Sequence, residues 1–135
     1  AKKLQHKWEK NFNLEIISPE KIILSEKVNS VTMPSFEGEM TILPDHIPLI
    51  TFLRPGIVRI EGSKESEYFV EEGTVEFSNN TLIILSSTII PLDNVKGENL
   101  SKMIEESKAL LAKENLSDKA KYIASHKIDT LSKIN

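Results

Sequence analysis

The sequence predicts a mainly β protein of the α+β class, an antiparallel β-sandwich or barrel followed by an antiparallel hairpin of two helices. Between residues 12 and 92, apolar residues alternate with polar ones or form short runs, and Pro, Gly or Asn-Asn interrupts them at short, regular intervals. After Asn94, apolar residues recur every three or four positions, which is the period of an amphipathic helix. The chain therefore divides into a β-domain and a helical segment.

Polar turns organise the predicted β-domain. Residues 18–21, Ser-Pro-Glu-Lys, join the first two strands in a hairpin, and residues 62–66 and Asn79-Asn80 are expected to turn the chain later in the domain. No helical pattern of ten residues interrupts this rhythm before Pro91.

The second predicted strand, residues 22–33, contains an irregularity. Val28 falls on the opposite parity from Val31 and Met33. Because successive side chains of a strand point to opposite faces, a bulge within residues 27–29 is needed to bury all three.

The helical segment is predicted to break near Asn115, and Ser117 suits the N-cap of its second helix. Two helices cannot enclose their own apolar stripes, so they must pack on the β-domain or on another protein. The pattern leaves two alternatives open, a fixed cover for the sandwich and a moving part. We divide the chain into a flexible leader (1–11), a β-domain (12–92), a linker (93–97) and a helical hairpin (98–135).

Composition argues against most kinds of chemistry. The 135 residues include no cysteine and only three, widely separated histidines, so no metal or thiol site is expected. The five glycines form no dinucleotide fingerprint, no nucleophile motif surrounds any serine, and no cofactor is predicted. A net charge of -3 makes nucleic acid an unsuitable partner. No apolar stretch approaches the roughly 20 residues of a membrane-spanning helix.

Residues 38–56 are dense in glycine and proline around two short apolar runs, which predicts rigid loops suited to docking. Three segments carry a family resemblance: P-E-K-I-I-L-S-E-K-V-N-S-V-T-M-P from Pro19, F-E-G-E-M-T-I-L-P-D-H-I-P-L-I-T-F-L-R-P-G from Phe36, and Y-F-V-E-E-G-T-V-E-F from Tyr68. They resemble the epsilon subunit of F-type ATP synthases, whose mitochondrial equivalent is called delta. The resemblance implies a ten-stranded antiparallel sandwich and a C-terminal helical hairpin.

The resemblance also implies a function. The chain would be a non-catalytic rotor subunit of the central stalk that binds the gamma subunit and the c-ring of a proton-translocating synthase. It would associate with the membrane only through the ring, on the cytoplasmic face of a bacterial inner membrane or the matrix side of a mitochondrial one. The c-ring contacts would come from Phe36, Glu37, Glu39, Thr41 and His46. The alternative is a stand-alone β-sandwich that binds a ligand.

Many bacterial members of this family carry an ATP-binding signature of Ile or Leu, Asp, two residues, Arg and Ala. Leu100, Ser101, Ile104 and Glu105 stand at its defining positions. Without the arginine fork, and with a carboxylate added, phosphate would be repelled. We expect weak or no ATP binding.

In this family the hairpin can also extend into the catalytic head and inhibit hydrolysis through basic residues. The second helix would offer four lysines to the alpha and beta subunits: Lys119, Lys121, Lys127 and Lys133. A surface helix often has this charge pattern without such a role. Inhibition is therefore a hypothesis.

Overall fold

A computed structural model describes residues 10–134, so most of the predicted leader lies outside the described part. The strands are β1 (Phe12–Ile17), β2 (Ile22–Ser35), β3 (Gly38–Ile42), β4 (Leu49–Leu53), β5 (Gly56–Gly62), β6 (Ser66–Val70), β7 (Gly73–Ser78), β8 (Thr81–Leu85) and β9 (Ile89–Pro91). A 3-10 turn at Leu92–Asn94 leads to helices α1 (Gly97–Leu111) and α2 (Asp118–Ser132). The predicted β-sandwich with a two-helix hairpin is confirmed.

The sandwich has two layers that share β2. The first half of β2 pairs with β1, in a layer that continues through β8 and β7 to β4; we call this the open layer. The second half pairs with β3 and β5, in a layer that continues through β6 to β9; we call this the hairpin layer. Most pairs are antiparallel, but β1 and β8 run parallel.

The strand count differs from the expected ten. Residues 10–134 form nine strands, because the two halves of β2 belong to different layers and yet make one continuous strand of 14 residues. When the two halves are counted separately, each layer has five strands. The architecture is the predicted one, with a long shared strand at its fold line.

The predicted bulge in β2 is confirmed. Val28 pairs with Gly62, and Ser30 pairs with the adjacent Glu61, so Asn29 is the extra residue opposite β5. The bulge resets the alternation, and Val28, Val31 and Met33 are all buried. They belong to the main core between the layers, with Phe12, Leu14, Ile16, Ile42, Leu53, Val58, Ile60, Val70, Val75, Phe77, Leu82 and Ile84.

The helical hairpin packs on the outer face of the hairpin layer. Its seat on the sandwich consists of Ile57, Phe69 and Ile90, and Leu131 of α2 is fully buried against it. Val95, within the predicted linker, is also fully buried there, and Leu100, Met103, Ile104 and Ile134 surround the cluster. The structure therefore contains the hairpin in a docked state.

Local signals define the ends of the helices as expected. Asn115 lies between the two helices and has a left-handed φ of 63°, which is incompatible with a continuous helix. The Ser117 hydroxyl accepts a hydrogen bond of 3.1 Å from the Ala120 amide, so the predicted N-cap is confirmed.

We predict that Leu131→Ala loosens the hairpin without unfolding the sandwich. Truncating a fully buried leucine costs about 3 kcal/mol, which corresponds to a roughly 100-fold faster exchange of amides that open with α2. Hydrogen exchange should show this change in α2, while the core strands keep their protection. Leu110→Ala, at a position 38% exposed on α1, is the matched control and should change little. Equal exchange in both variants would contradict the docked arrangement.

Candidate docking surfaces

The five predicted ring contacts lie along one edge of the sandwich. Within residues 10–134, β3 pairs only with β2, so it is an edge strand. Phe36 and Glu37 occupy the turn before β3, Glu39 and Thr41 lie on the strand itself, and His46 lies in the loop after it. We call these five residues the β3 edge.

The turn at the start of the β3 edge is fixed by a buried serine. The Ser35 hydroxyl donates to the Gly38 carbonyl at 2.7 Å and accepts from the Glu37 amide at 3.2 Å. The turn presents the Phe36 ring, which is 41% exposed, to the helical hairpin. That ring stacks on Tyr122 of α2 with centroids 5.3 Å apart.

On the strand, both predicted contacts join a polar outer surface. The Glu39 carboxylate lies 3.8 Å from the Arg59 guanidinium, which also pairs with Glu67 at 3.2 Å. These groups are exposed, so the pairs orient side chains more than they stabilise the fold. The hydroxyls of Thr41 and Thr32 lie 2.9 Å apart across the ladder. The backbone of Thr41 stays in the strand, without a positive φ.

The His46 loop is held by a clasp that the sequence analysis missed. The Asp45 amide donates to the Asn80 side chain at 2.7 Å, and the Asn80 side chain donates back to the Asp45 carboxylate at 2.9 Å. His46 Nδ1 lies 2.7 Å from the Ile47 carbonyl, and the ring meets Phe77 edge-on at 5.9 Å. Asn-Asn predicted the turn, but no local pattern links Asn80 to a residue so distant in sequence.

The structure does not bring Glu39 and His46 into one cluster. Glu39 is the second residue of β3, and His46 lies four residues beyond the end of that strand at Ile42. At about 3.3 Å per residue, the strand from Glu39 to Ile42 alone spans roughly 10 Å. Any partner that touches both must therefore lie along the edge.

The outer face of the open layer carries an apolar surface that the sequence analysis did not identify. Ile50 is 75% exposed, Phe52 57% and Leu85 46%. In the strand register, Phe52 is opposite Thr74, which is opposite Leu85, and Leu85 pairs with Ile17. We call Ile17, Ile50, Phe52 and Leu85 the open-layer patch. The sequence feature that could have revealed this patch is that β4 and β8 carry apolar residues at both odd and even positions, so that both faces of each strand are apolar.

The four lysines of α2 differ in their surroundings. Lys127 pairs with Glu71 of the sandwich, and the two side chains are only 21% and 25% exposed. Lys133, directly after the end of α2, pairs locally with Asp129 at 3.2 Å, and both side chains are exposed. Lys119 and Lys121 are exposed. Docking of the hairpin thus engages one of the four predicted inhibitory lysines, Lys127.

The positions of the degenerate ATP signature face two ways. Leu100 and Ile104 pack in the hairpin seat, whereas Ser101 and Glu105 are exposed. Ile104 stands where the resemblance places an arginine, and there it makes an apolar contact that helps to dock the helix.

Among residues 10–134, no group of three His, Cys, Asp or Glu side chains could hold a metal ion. In the same range no helix is long and apolar enough to cross a membrane.

His126 lies in the contact between α2 and the sandwich. Its ring is 4.3 Å from that of Tyr122 and tilted against it, on the helix that also stacks on Phe36. Burial lowers the pKa of His126 below its ordinary value, the nearby Arg54 guanidinium lowers it further, and Asp129 opposes the change. His126, Arg54 and Asp129 line a cavity of about 500 Å³ between α2 and the sandwich. The other charged residues that line this cavity are Glu39, Arg59, Glu67, Asp93, Lys96 and Lys133.

We predict that acidification weakens docking of the hairpin. Because the pKa of His126 is lower in the docked state than in a free helix, protons bind the undocked state more tightly. Docking is fully stable above the ordinary pKa of 6.5 and weakens as pH falls from there through the lowered value. Because the chain has no cysteine, a fluorophore pair can be attached to engineered cysteines in α2 and β7. Energy transfer between the two fluorophores then reports the distance between α2 and the sandwich as the pH is changed. His126→Gln should remove this pH dependence; an unchanged pH profile in that variant would assign the effect to other groups.

Comparison with known proteins agrees with this architecture. Residues 11–92 match the family described as ATP synthase, Delta/Epsilon chain, beta-sandwich domain. The chain is 42% identical over 126 residues to the ATP synthase epsilon chain of Pelagibacter ubique, covering 92% of this chain and 97% of the relative. It is 37% identical over 103 residues to the epsilon chain of Allorhizobium ampelinum, covering 75% of this chain and 76% of the relative.

Two solved structures share the fold. A chain of the Euglena gracilis mitochondrial ATP synthase, from a structure of its OSCP, F1 and c-ring, superposes with a TM-score of 0.72 at 23% identity, covering 91% of this chain and 78% of that one. A chain from the central stalk and c-ring of the Tetrahymena thermophila enzyme gives 0.68 at 17% identity, covering 90% and 93%. The resemblance predicted from sequence is confirmed: the chain belongs to the ATP synthase delta/epsilon family.

Proposed function

We propose that this chain is a non-catalytic rotor subunit that couples rotation of the c-ring, through the gamma subunit, to ATP synthesis in a proton-translocating F-type ATP synthase. Family membership supports the role, and the two solved relatives come from mitochondrial assemblies that include a c-ring. One observation carries the proposal: a single sandwich presents two unlike docking surfaces, the polar β3 edge and the open-layer patch.

The open-layer patch is the surface we assign to gamma. Apolar side chains that are 46% to 75% exposed, close together on one sheet face, are typical of a surface that another protein covers. A stalk turns as one body, so its internal interfaces must be lasting, and lasting interfaces are the more apolar ones. Gamma is the stalk partner that the family resemblance implies.

The β3 edge is the surface we assign to the c-ring. Its carboxylates, hydroxyl and imidazole suit the polar loops that the family resemblance attributes to the ring. Ser35 fixes one end of the edge and the Asp45–Asn80 clasp fixes the other, so little conformational entropy is lost on docking. Membrane association would then be indirect, on the cytoplasmic or matrix face.

Family membership disfavours the alternative, a stand-alone ligand-binding sandwich. We propose, further, that the chain does not use ATP as a ligand. Ile104 packs in the hairpin seat, and Glu105 is the neighbouring exposed charge, so these positions offer phosphate no cation. Regulation through the hairpin would then depend on contacts between proteins.

We also propose that the helical hairpin can inhibit ATP hydrolysis by the catalytic head. An extended hairpin would present Lys119, Lys121, Lys127 and Lys133 to acidic groups of the alpha and beta subunits. In the docked state Glu71 holds Lys127, so the sandwich and the catalytic head would compete for the same cation. The Glu71–Lys127 pair therefore opposes inhibition.

The rotor role predicts that substitutions in the open-layer patch and in the β3 edge impair different functions. Phe52→Glu should reduce the affinity for a gamma-containing catalytic complex by about 100-fold, because it buries a charge in an apolar interface. Glu39→Lys should leave that affinity unchanged and reduce ATP-driven proton pumping by the membrane-bound enzyme. Affinity is measured by calorimetry and pumping by a pH-sensitive dye.

Leu110→Glu is the control for the first change, since it places the same charge at an exposed leucine on α1. A wild-type chain that does not bind the gamma-containing complex would refute the rotor role. Full binding by Phe52→Glu would refute only the assignment of the open-layer patch.

The inhibition proposal predicts that Glu71→Gln lowers ATP hydrolysis by the assembled enzyme severalfold. The substitution leaves Lys127 half-buried without its partner, so the docked hairpin loses about 1–2 kcal/mol and extends more often. Hydrolysis is measured with a coupled phosphate assay. Glu65→Gln, which removes an exposed carboxylate between β5 and β6, is the control. Unchanged hydrolysis, together with faster hydrogen exchange in α2, would separate hairpin release from inhibition and overturn the proposal.

A further inference from the structure

A groove of about 680 Å³ lies at the end of the sandwich next to α2. Its apolar lining comes from the β1–β2 turn and from the ends of strands in both layers: Ile17, Pro19, Phe36, Phe52, Leu53 and Leu85. Three of these residues, Ile17, Phe52 and Leu85, also belong to the open-layer patch. The groove is therefore a continuation of the surface assigned to gamma.

The docked hairpin completes this groove. Lys119, in the first turn of α2, lines one side, where the methylene stem of a lysine can cover apolar surface. Phe36 lines the groove as well, and its ring is stacked on Tyr122 of the same helix. When the hairpin undocks, the groove loses the side formed by Lys119, and Phe36 loses the Tyr122 ring on which it stacks. Its shape thus depends on the state of the hairpin.

We propose that this groove receives an apolar side chain of the gamma subunit, so that gamma binding and hairpin docking stabilise each other. The inference rests on the proposed function and extends it to regulation. Gamma is the occupant because the groove continues from its assigned patch. Among the described residues, the charged groups that line the groove are one lysine and one carboxylate, Lys119 and Glu72, so an apolar group suits it better than an ion.

The coupling is reciprocal by thermodynamic necessity. If the docked hairpin raises the affinity for gamma by some factor, bound gamma raises the docking equilibrium by the same factor. Couplings between two sites are typically about 5- to 150-fold. We expect roughly tenfold here, because the hairpin supplies only part of the groove.

The test measures binding of full-length variants to a rotor complex of gamma and the c-ring, without the alpha and beta subunits to which a released hairpin could bind. Leu131→Asp places a charge in the hairpin seat and should undock the hairpin, and we expect about tenfold weaker binding. Leu110→Asp carries the same charge at an exposed leucine on α1 and should bind like the wild type. Tyr122→Ala, which removes only the stack on Phe36, should weaken binding by a smaller factor. Lys119→Ala should weaken it and Lys121→Ala should not, because only the first lysine lines the groove.

The reciprocal arm measures hydrogen exchange in α2 with and without the same rotor complex of gamma and the c-ring. Protection should rise by the same factor as the loss of affinity in Leu131→Asp. Wild-type affinity in Leu131→Asp and Tyr122→Ala, with no change in α2 exchange, would overturn the coupling and leave the rotor role standing. Failure of the wild-type chain itself to bind would refute the proposed function instead.

Discussion

The constraint on which the rest of the fold depends is the alternation of side chains along β2. One continuous strand must bury apolar residues in two layers, and a strand without interruption would turn Val31 and Met33 to the wrong side after Val28. The extra residue Asn29 corrects the parity and gives the strand its bend. Because each half of β2 then pairs in its own layer, the sandwich acquires two outer faces, one that exposes the open-layer patch and one that the helical hairpin covers.

The sequence predicted those features that depend on neighbours along the chain. The bulge, the Asn79-Asn80 turn and the N-cap at Ser117 each rest on a few adjacent residues, and all three are confirmed. The parallel pairing of β1 with β8 and the clasp between Asp45 and Asn80 join distant segments, which periodicity cannot match to each other.

The open-layer patch was missed for a related reason. Apolar residues at both parities indicate a strand covered on two faces, and within residues 10–134 the second face stays exposed. The predicted ring contacts stay predictions, although the structure arranges them as an edge. At two positions of the predicted degenerate ATP signature, Leu100 and Ile104 instead pack against the sandwich and help to hold the helix there.

The shared strand also has a mechanical consequence. In the proposed assembly, load enters at β3 and leaves through the open layer, and β2 pairs with β3 through its second half and with β1 through its first half. Force between these two sites is carried through the backbone ladders of a continuous covalent strand that belongs to both layers. A sandwich whose layers met only through side chains could slide under the same load. In that assembly, the long β2 would oppose sliding of one layer over the other.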